Sequence, residues 1–399
     1  MPTISQKAIQ MPVSPIRKLV PYAEDAKKRG VHIYHLNIGQ PDIDAPKAAL
    51  DAVRNSDLKL IPYSHSAGHI SYREKLAKYY QDKHIDVNEN EIIVTNAGTE
   101  AVLFAVFACA NPGDEIIVPE PFYANYSAMV VYAGAKLVPV PCSIDNGFAL
   151  PPVKEFEKVI TPKTKAIIIS NPGNPTGYIY TRQEMEQLGE LVKQHDLFLI
   201  SDEVYREFCF DNTEIVSVLH VKGIEENVII VDSVSKRYSA CGTRVGAFIS
   251  KNKEVYNAAM KFAQARLSPP SYGQIFAEVA CDTPQSYFDE VVAEYTKRRD
   301  IVVEAINKID GCFCPKPTGA FYVMARLPID DSDKFCQWLL EKFEHNQQTI
   351  MFAPATGFYS PNSGKGKDEV RISYVLNETD LRNAMECLEI ALKQYNSKK

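Results

Sequence analysis

The chain is 399 residues long with 45% hydrophobic and 24% charged side chains, which excludes a disordered polymer, a fibrous repeat and a disulfide-stapled miniprotein and provides for two domains of roughly 100–200 residues each. Its 44 Lys and Arg against 50 Asp and Glu give a formal charge of −6, so it lacks the bulk basic excess that draws many proteins to nucleic acid. The longest run without a polar residue, Ala101 to Ala110, is about half of what a membrane-spanning helix needs and stops at Asn111-Pro112-Gly113-Asp114.

In chain order, Glu91 to Thr95 reads as a strand and Gly98 to Cys109 as a buried helix. After the Asn-Pro-Gly-Asp turn come strands over Glu115–Pro119, Lys165–Ser170, Leu197–Ser201, Val228–Val231 and Gly246–Ser250, with a helix over Arg182–Gln194 among them. These runs are short, β-branched and almost uniformly apolar, as strands covered on both faces are, and their alternation with helices predicts an α/β fold built on a mainly parallel sheet. The C-terminal part reads as a smaller α+β layer: a helix over Ser286–Ile309, a strand over Ala320–Leu327, a helix over Ser332–His345, a strand over Glu369–Tyr374 and a last helix over Thr379–Tyr395. The composition of Ser360–Lys367 predicts an exposed, mobile connection.

Nine dispersed cysteines contain no Cys-x-x-Cys pair, Cys312 and Cys314 stand too close for the usual zinc spacing, and His65 and His69 lack an acidic companion, so no metal is expected. The cysteines read as reduced core residues, and the N-terminal stretch lacks the apolar block of a secretory signal, which makes a cytoplasmic location the expectation.

The chemistry gathers at the ends of the predicted strands, where the ligands of open α/β sheets collect. Ser170-Asn171-Pro172-Gly173-Asn174-Pro175-Thr176-Gly177 follows one strand and Ser201-Asp202-Glu203-Val204-Tyr205 another; Asp232-Ser233-Val234-Ser235-Lys236 follows a third and continues to Gly242-Thr243-Arg244. Together they supply what a pyridoxal phosphate site requires. Lys236 offers an amine for the aldehyde, Asp202 a carboxylate to keep the pyridine nitrogen protonated, and Tyr205 and Asn174 donors for the ring hydroxyl. Arg244, Ser233 and Ser235 suit the phosphate, as do the free amides at the Gly98-Thr99 helix start. Taken singly, Lys236 reads as a surface charge, Asp202 as a helix cap and Asn174 as turn chemistry; the combination carries the argument.

The Asn-Pro-x-Asn-Pro-Thr-Gly run, with Ser-x-Ser-Lys followed eight positions later by Arg, resembles a class I, fold-type I pyridoxal-phosphate aminotransferase, close to the aspartate aminotransferases. The resemblance extends over nearly the whole chain, from Leu36-Asn37-Ile38-Gly39-Gln40-Pro41-Asp42 to Arg371-Ile372-Ser373-Tyr374. It implies a large domain over 47–289 with a mainly parallel seven-stranded sheet between helices, and a small discontinuous domain from 1–46 and 290–399. It further implies that Lys236 forms the Schiff base with the cofactor and moves the proton of the reaction, that Asp202 pairs with the ring nitrogen, and that Tyr205 and Asn174 pair with the ring oxygen. Tyr123 stands where many relatives stack a tryptophan on the ring. Arg371 would grip the substrate α-carboxylate beside the Gly39 amide, and Tyr63 would reach the phosphate of a neighbouring subunit in a homodimer with shared sites.

An acidic substrate needs a second cation for its distal carboxylate. Arg266, just ahead of Pro269-Pro270, and Arg237, next to Lys236, are the candidates, each with an ordinary structural role as its alternative. The expected reaction is ping-pong transamination of L-aspartate and 2-oxoglutarate to oxaloacetate and L-glutamate. An aromatic, alanine-type or broad-specificity aminotransferase, or a lyase using the same linkage, is the alternative among enzymes, and a non-catalytic cofactor-binding regulator is the alternative from another class.

Overall fold

The computed structural model describes residues 2–361 and 363–397, so Asn362, within the Ser360–Lys367 connection, lies outside the described residues. The strands, in chain order, are β1 (His32–His35), β2 (Ile92–Thr95), β3 (Glu115–Glu120), β4 (Lys136–Pro141), β5 (Thr164–Ser170), β6 (Phe198–Asp202), β7 (Val228–Ser233), β8 (Gly246–Ile249), β9 (Tyr322–Arg326), β10 (Gln348–Met351), β11 (Ala353–Pro354) and β12 (Glu369–Ser373). Seven of them form the central sheet in the order β2-β8-β7-β6-β5-β3-β4. All pair in parallel except β8, which is antiparallel to both its neighbours.

The uniform hydrophobicity of these strands has a direct cause. Successive side chains point to opposite faces, and helices cover both. Ile167, Ile169, Leu199 and Ile230 join one core with Met185, Leu188 and Val192 of the helix Arg182–Gln194. Ala166, Ile168, Ile200 and Ile229 join the opposite core with Ala101, Phe104 and Ala105 of the helix Ala97–Cys109. Each fully buried isoleucine contributes about 1.5–3 kcal/mol relative to exposure. Thr181 sets the start of the helix Arg182–Gln194: its hydroxyl accepts from the Glu184 amide at 3.2 Å while the Glu184 carboxylate accepts from the Thr181 amide at 2.7 Å.

A separate core joins residues from Leu19 to Leu36 with residues from Val291 to Leu392. There β1 pairs in parallel with β10, and β9, β12 and β11 form a small antiparallel sheet. Two details differ from the sequence pattern. The helix expected to reach His345 ends at Glu341, and the chain then turns through Asn346 and Gln347, both at positive φ, into β10. The Ser360–Lys367 connection is tied down, since the Ser360 amide and Lys365 Nζ both reach the buried Glu120 carboxylate, at 3.0 and 3.2 Å. No described helix is long and apolar enough to cross a membrane.

The fold brings the carboxyl ends of β5, β6 and β7 together with the start of the helix Ala97–Cys109. Gly246 permits this approach: a Cβ there would lie 2.4 Å from the Ala97 carbonyl carbon and 2.6 Å from the Gly98 nitrogen, so any side chain would push the helix start off the sheet.

Candidate active site

A cavity of about 470 Å³ opens at these strand ends. Its lining brings together Gly98, Thr99, Tyr123, Asn174, Asp202, Tyr205, Ser233, Ser235, Lys236 and Arg244, residues that lie far apart in the sequence. Asp202 ends β6. One carboxylate oxygen accepts from the Tyr126 hydroxyl at 2.8 Å and the other from the Val204 amide at 3.3 Å, with no cation paired to it among the described residues. Burial pushes this carboxyl up to about 6.

The consequence for stability follows by linkage. Between its ordinary value of 3.8 and about 6, the folded protein without cofactor holds more proton on Asp202 than the unfolded chain does, so the contribution of this group falls as pH rises through that window. The cofactor-free wild type is expected to lose about 3 kcal/mol across it relative to Asp202→Asn, read from denaturant midpoints. A flat difference between the two proteins would show that the carboxyl is not held up.

Lys236 sits on the single helical turn Val234–Arg237, which the Ser233 hydroxyl caps by accepting from the Ser235 amide. Val234, Ser235 and Arg237 are buried around it, and Lys236 extends into the cavity, where Nζ donates to the Gly39 carbonyl at 2.6 Å and lies 3.7 Å from Cys241 Sγ. Arg237 does not line the cavity. Its Nη2 lies 2.7 and 2.6 Å from the two carboxylate oxygens of Asp232, and its guanidinium stacks 4.2 Å from the centre of the Tyr79 ring. The expectation that Arg237 holds a substrate carboxylate is therefore corrected: it is spent on anchoring the turn that carries Lys236. Asp232, which burial alone would raise, is held below its ordinary range by Arg237 and Arg206.

The Tyr205 hydroxyl lies 2.9 Å from that of Tyr322, and burial keeps the Tyr205 phenol protonated and available as a donor. Arg371, on β12, is 2% exposed and sits behind Asn174 rather than in the cavity lining. Its Nη1 donates to Asn174 Oδ1 at 3.0 Å and its Nη2 to the Asn37 carbonyl at 2.6 Å, while its Nε has no partner. Gly39 also stands outside the lining, and a Cβ on it would fall 1.7 Å from the Tyr322 hydroxyl. Tyr63 is 78% exposed and is not among the residues that line this cavity. Arg266 is likewise outside it, donating to the Ser66 and Val94 carbonyls, each at 3.1 Å, with Glu100 at 3.7 Å.

Three site residues escape the sequence reading. Tyr126 and Tyr322 touch the expected residues only through contacts between distant segments, with no local signal. Arg17, from the N-terminal segment, lines the cavity and belongs to no motif.

The donor set fits pyridoxal phosphate. An uncompensated buried carboxylate faces the cavity together with an amine, the side-chain Nδ2 of Asn174 has no protein partner among the described residues, and Arg244 lies with Ser233, Ser235 and the helix start around the same space. Comparison with known proteins agrees. The family model for aminotransferase class I and II matches residues 31–388. An aspartate aminotransferase of Pyrococcus abyssi is 32% identical over 390 residues, covering 96% of each chain. Aromatic-amino-acid aminotransferase 2 of Thermococcus litoralis is 30% identical, again over 96% of each chain. The solved alanine aminotransferase from Pyrococcus furiosus superposes with a TM-score of 0.90 at 28% identity, covering 98% of this chain and 100% of that one. With a family match running nearly end to end and a cavity holding the lysine, the carboxylate and the anion-binding groups that its chemistry needs, the chain belongs to the class I and II aminotransferases and is a pyridoxal-phosphate-dependent transferase.

Proposed function

We propose that the enzyme exchanges an amino group between L-aspartate and 2-oxoglutarate, giving oxaloacetate and L-glutamate. The observation that carries amino-acid transamination is Arg371, a buried cation without a carboxylate partner among the described residues, whereas the choice of aspartate rests on the cations that line the cavity. Burial lowers its pKa and makes the charge costly, a cost that a substrate α-carboxylate offsets on binding. Preference for an acidic side chain is supported by the cavity's charge. Lys236, Arg244 and Arg17 line it, three cations against the single carboxylate of Asp202. Relatives named aspartate aminotransferases support the same choice.

Bound pyridoxal phosphate supplies the electron sink that lets the substrate Cα release its proton. In this reading Lys236 Nζ carries that proton, Asp202 holds a proton at the ring nitrogen, and Tyr205 and Asn174 donate to the ring oxygen. Tyr123 covers the ring. Ser233, Ser235, Arg244 and the Gly98 and Thr99 amides hold the phosphate, and Gly39 and Arg371 receive the α-carboxylate.

We read 47–289 as one domain and 1–46 with 290–399 as the other, a division supported by the cores, although Tyr205, Phe208 and Phe210 of the first segment join the core of the second. Three contacts cross that boundary around the substrate: Lys236 to Gly39, Arg371 to Asn174, and Tyr205 to Tyr322. A homodimer accounts for Tyr63 and for its neighbours Leu60 and Ile61, 80% and 58% exposed, with Tyr63 and Arg266 serving the partner's site. A cytoplasmic setting suits nine free cysteines.

A steady-state panel of aspartate, glutamate, alanine, phenylalanine and tyrosine as amino donors tests the substrate assignment. Aspartate and glutamate, the two dicarboxylic donors, are expected to lead alanine, phenylalanine and tyrosine in kcat/KM by at least about tenfold, the value of one hydrogen bond to a charged group. The aromatic alternative draws on Tyr123, Tyr205 and Tyr322 around the site, and a profile led by phenylalanine or tyrosine would establish it instead.

A further inference from the structure

We infer that Arg17 is the specificity-determining cation that receives the distal carboxylate of a dicarboxylic substrate. This deepens the acidic-substrate reading and rests on it.

Arg17 opens a short 3-10 turn, Arg17–Leu19, fixed on both sides by apolar anchors. Leu19 is buried in the core built from the two chain ends. Ile16 packs on Ala124, Ala353 and Phe358. Those contacts locate the arginine. Ala124 adjoins Tyr123 of the cavity wall, and the Phe358 ring lies 4.8 Å from the Arg371 guanidinium. The turn therefore holds Arg17 in the cavity lining, while the Phe358 ring on which Ile16 packs also covers Arg371, which reaches the cavity wall through Asn174.

The charge of Arg17 is free. Its side chain is exposed and has no hydrogen bond or ion pair among the described residues, although its own backbone amide donates to Ser14. The neighbouring acid, Asp333, is taken by Lys18. The other candidates stand outside this cavity: Arg237 is paired with Asp232, and Arg266, whose Nη2 donates to two backbone carbonyls while its Nε and Nη1 have no hydrogen-bond partner, can serve only the partner's site in this reading. Arg244 lines the cavity with the phosphate-binding serines. Of the arginines considered for the distal group, Arg17 alone both lines this cavity and lacks an assigned partner. Its planar fork matches a carboxylate in two-pronged geometry, which a lysine cannot reproduce.

The test uses cofactor-loaded wild type, Arg17→Ala, Arg17→Lys and Arg266→Ala. Steady-state kinetics with aspartate and alanine are combined with titration of succinate, an unreactive dicarboxylate, followed by the cofactor's visible absorbance. In Arg17→Ala the aspartate-to-alanine ratio of kcat/KM is expected to fall on the order of 10- to 100-fold, mainly through the KM for aspartate, and succinate binding to weaken by a similar factor. Arg17→Lys should recover part of both. If wild type prefers aspartate and Arg17→Ala keeps that ratio, or only Arg266→Ala lowers it, Arg17 is not the distal cation and the acidic-substrate reading stands. Loss of bound cofactor from Arg17→Ala, with the ratio intact, would place the arginine on the phosphate and overturn the inference. A wild type without preference for dicarboxylates would sink the acidic-substrate reading itself.

Discussion

Lys236→Ala is expected to abolish transamination, with kcat reduced by at least about 10⁴-fold, the upper range for removal of a general acid–base group. The geometry leaves no substitute. Lys236 is the one amine that lines the cavity among the described residues, and its turn is locked by the Ser233 cap and the Asp232–Arg237 pair. Lys236→Arg separates the two properties of the residue: it keeps the positive charge, but a guanidinium does not give up its proton at working pH. Equal inactivity of both variants would assign the loss to the missing base, whereas partial activity in the arginine variant would assign it to charge. Single-turnover half-reactions and the cofactor's visible absorbance measure the loss directly. The substitutions should leave the fold intact, because the half-buried side chain is held only lightly, by the bond to the Gly39 carbonyl, the long contact with Cys241 and the Phe321 ring 5.9 Å away. Residual turnover above about one-hundredth of wild type, a loss smaller than even the low end of base catalysis, would remove Lys236 from the proton-moving role.

What could be read without coordinates divides along a physical line. Strands β5, β6 and β7 were legible to within about two residues because burial on both faces leaves a continuous apolar run. The start of the helix Arg182–Gln194 was legible because its capping box is local. Strand β4 was not, since it lies at the sheet edge, pairs only with β3, and carries Pro139 and Pro141, which an edge tolerates and a sequence pattern reads as breaks. Strands β1 and β10 are four residues each and pair only with one another across most of the chain length, so neither carries its own evidence. The site follows the same rule. Lys236, Asp202 and Asn174 stand at strand ends inside compact motifs and could be named, but the fate of Arg237 depended on whether Asp232 folds back on it. The contacts of Tyr126 with Asp202, and of Tyr322 with Tyr205, span 76 and 117 positions. No local pattern announces a partner at that separation.

Arg371 tests the site from the opposite direction, because its substitution should damage function without damaging the protein. Arg371→Ala is expected to lower kcat/KM by about 10³-fold, in the range seen when one member of a desolvated charge pair is removed. Aspartate and alanine should suffer alike, since both present the same α-carboxylate, and this equality distinguishes Arg371 from Arg17. Arg371→Lys should remain strongly impaired, as an ammonium cannot reproduce the two-pronged grip. Stability supplies the independent readout. In the free protein this guanidinium is buried over the rings of Tyr322 and Phe358, at 4.4 and 4.8 Å, with an unpartnered Nε and no opposing carboxylate among the described residues. The two hydrogen bonds it makes, to Asn174 and Asn37, contribute about 1–3 kcal/mol each, whereas a buried uncompensated ion costs several. Arg371→Met, which fills the space without the charge, should therefore unfold at no lower denaturant concentration than wild type while losing both turnover and stabilisation by succinate. A clear drop in the midpoint would show that the cation supports the fold, and the claim that it is held ready for a substrate anion would fail.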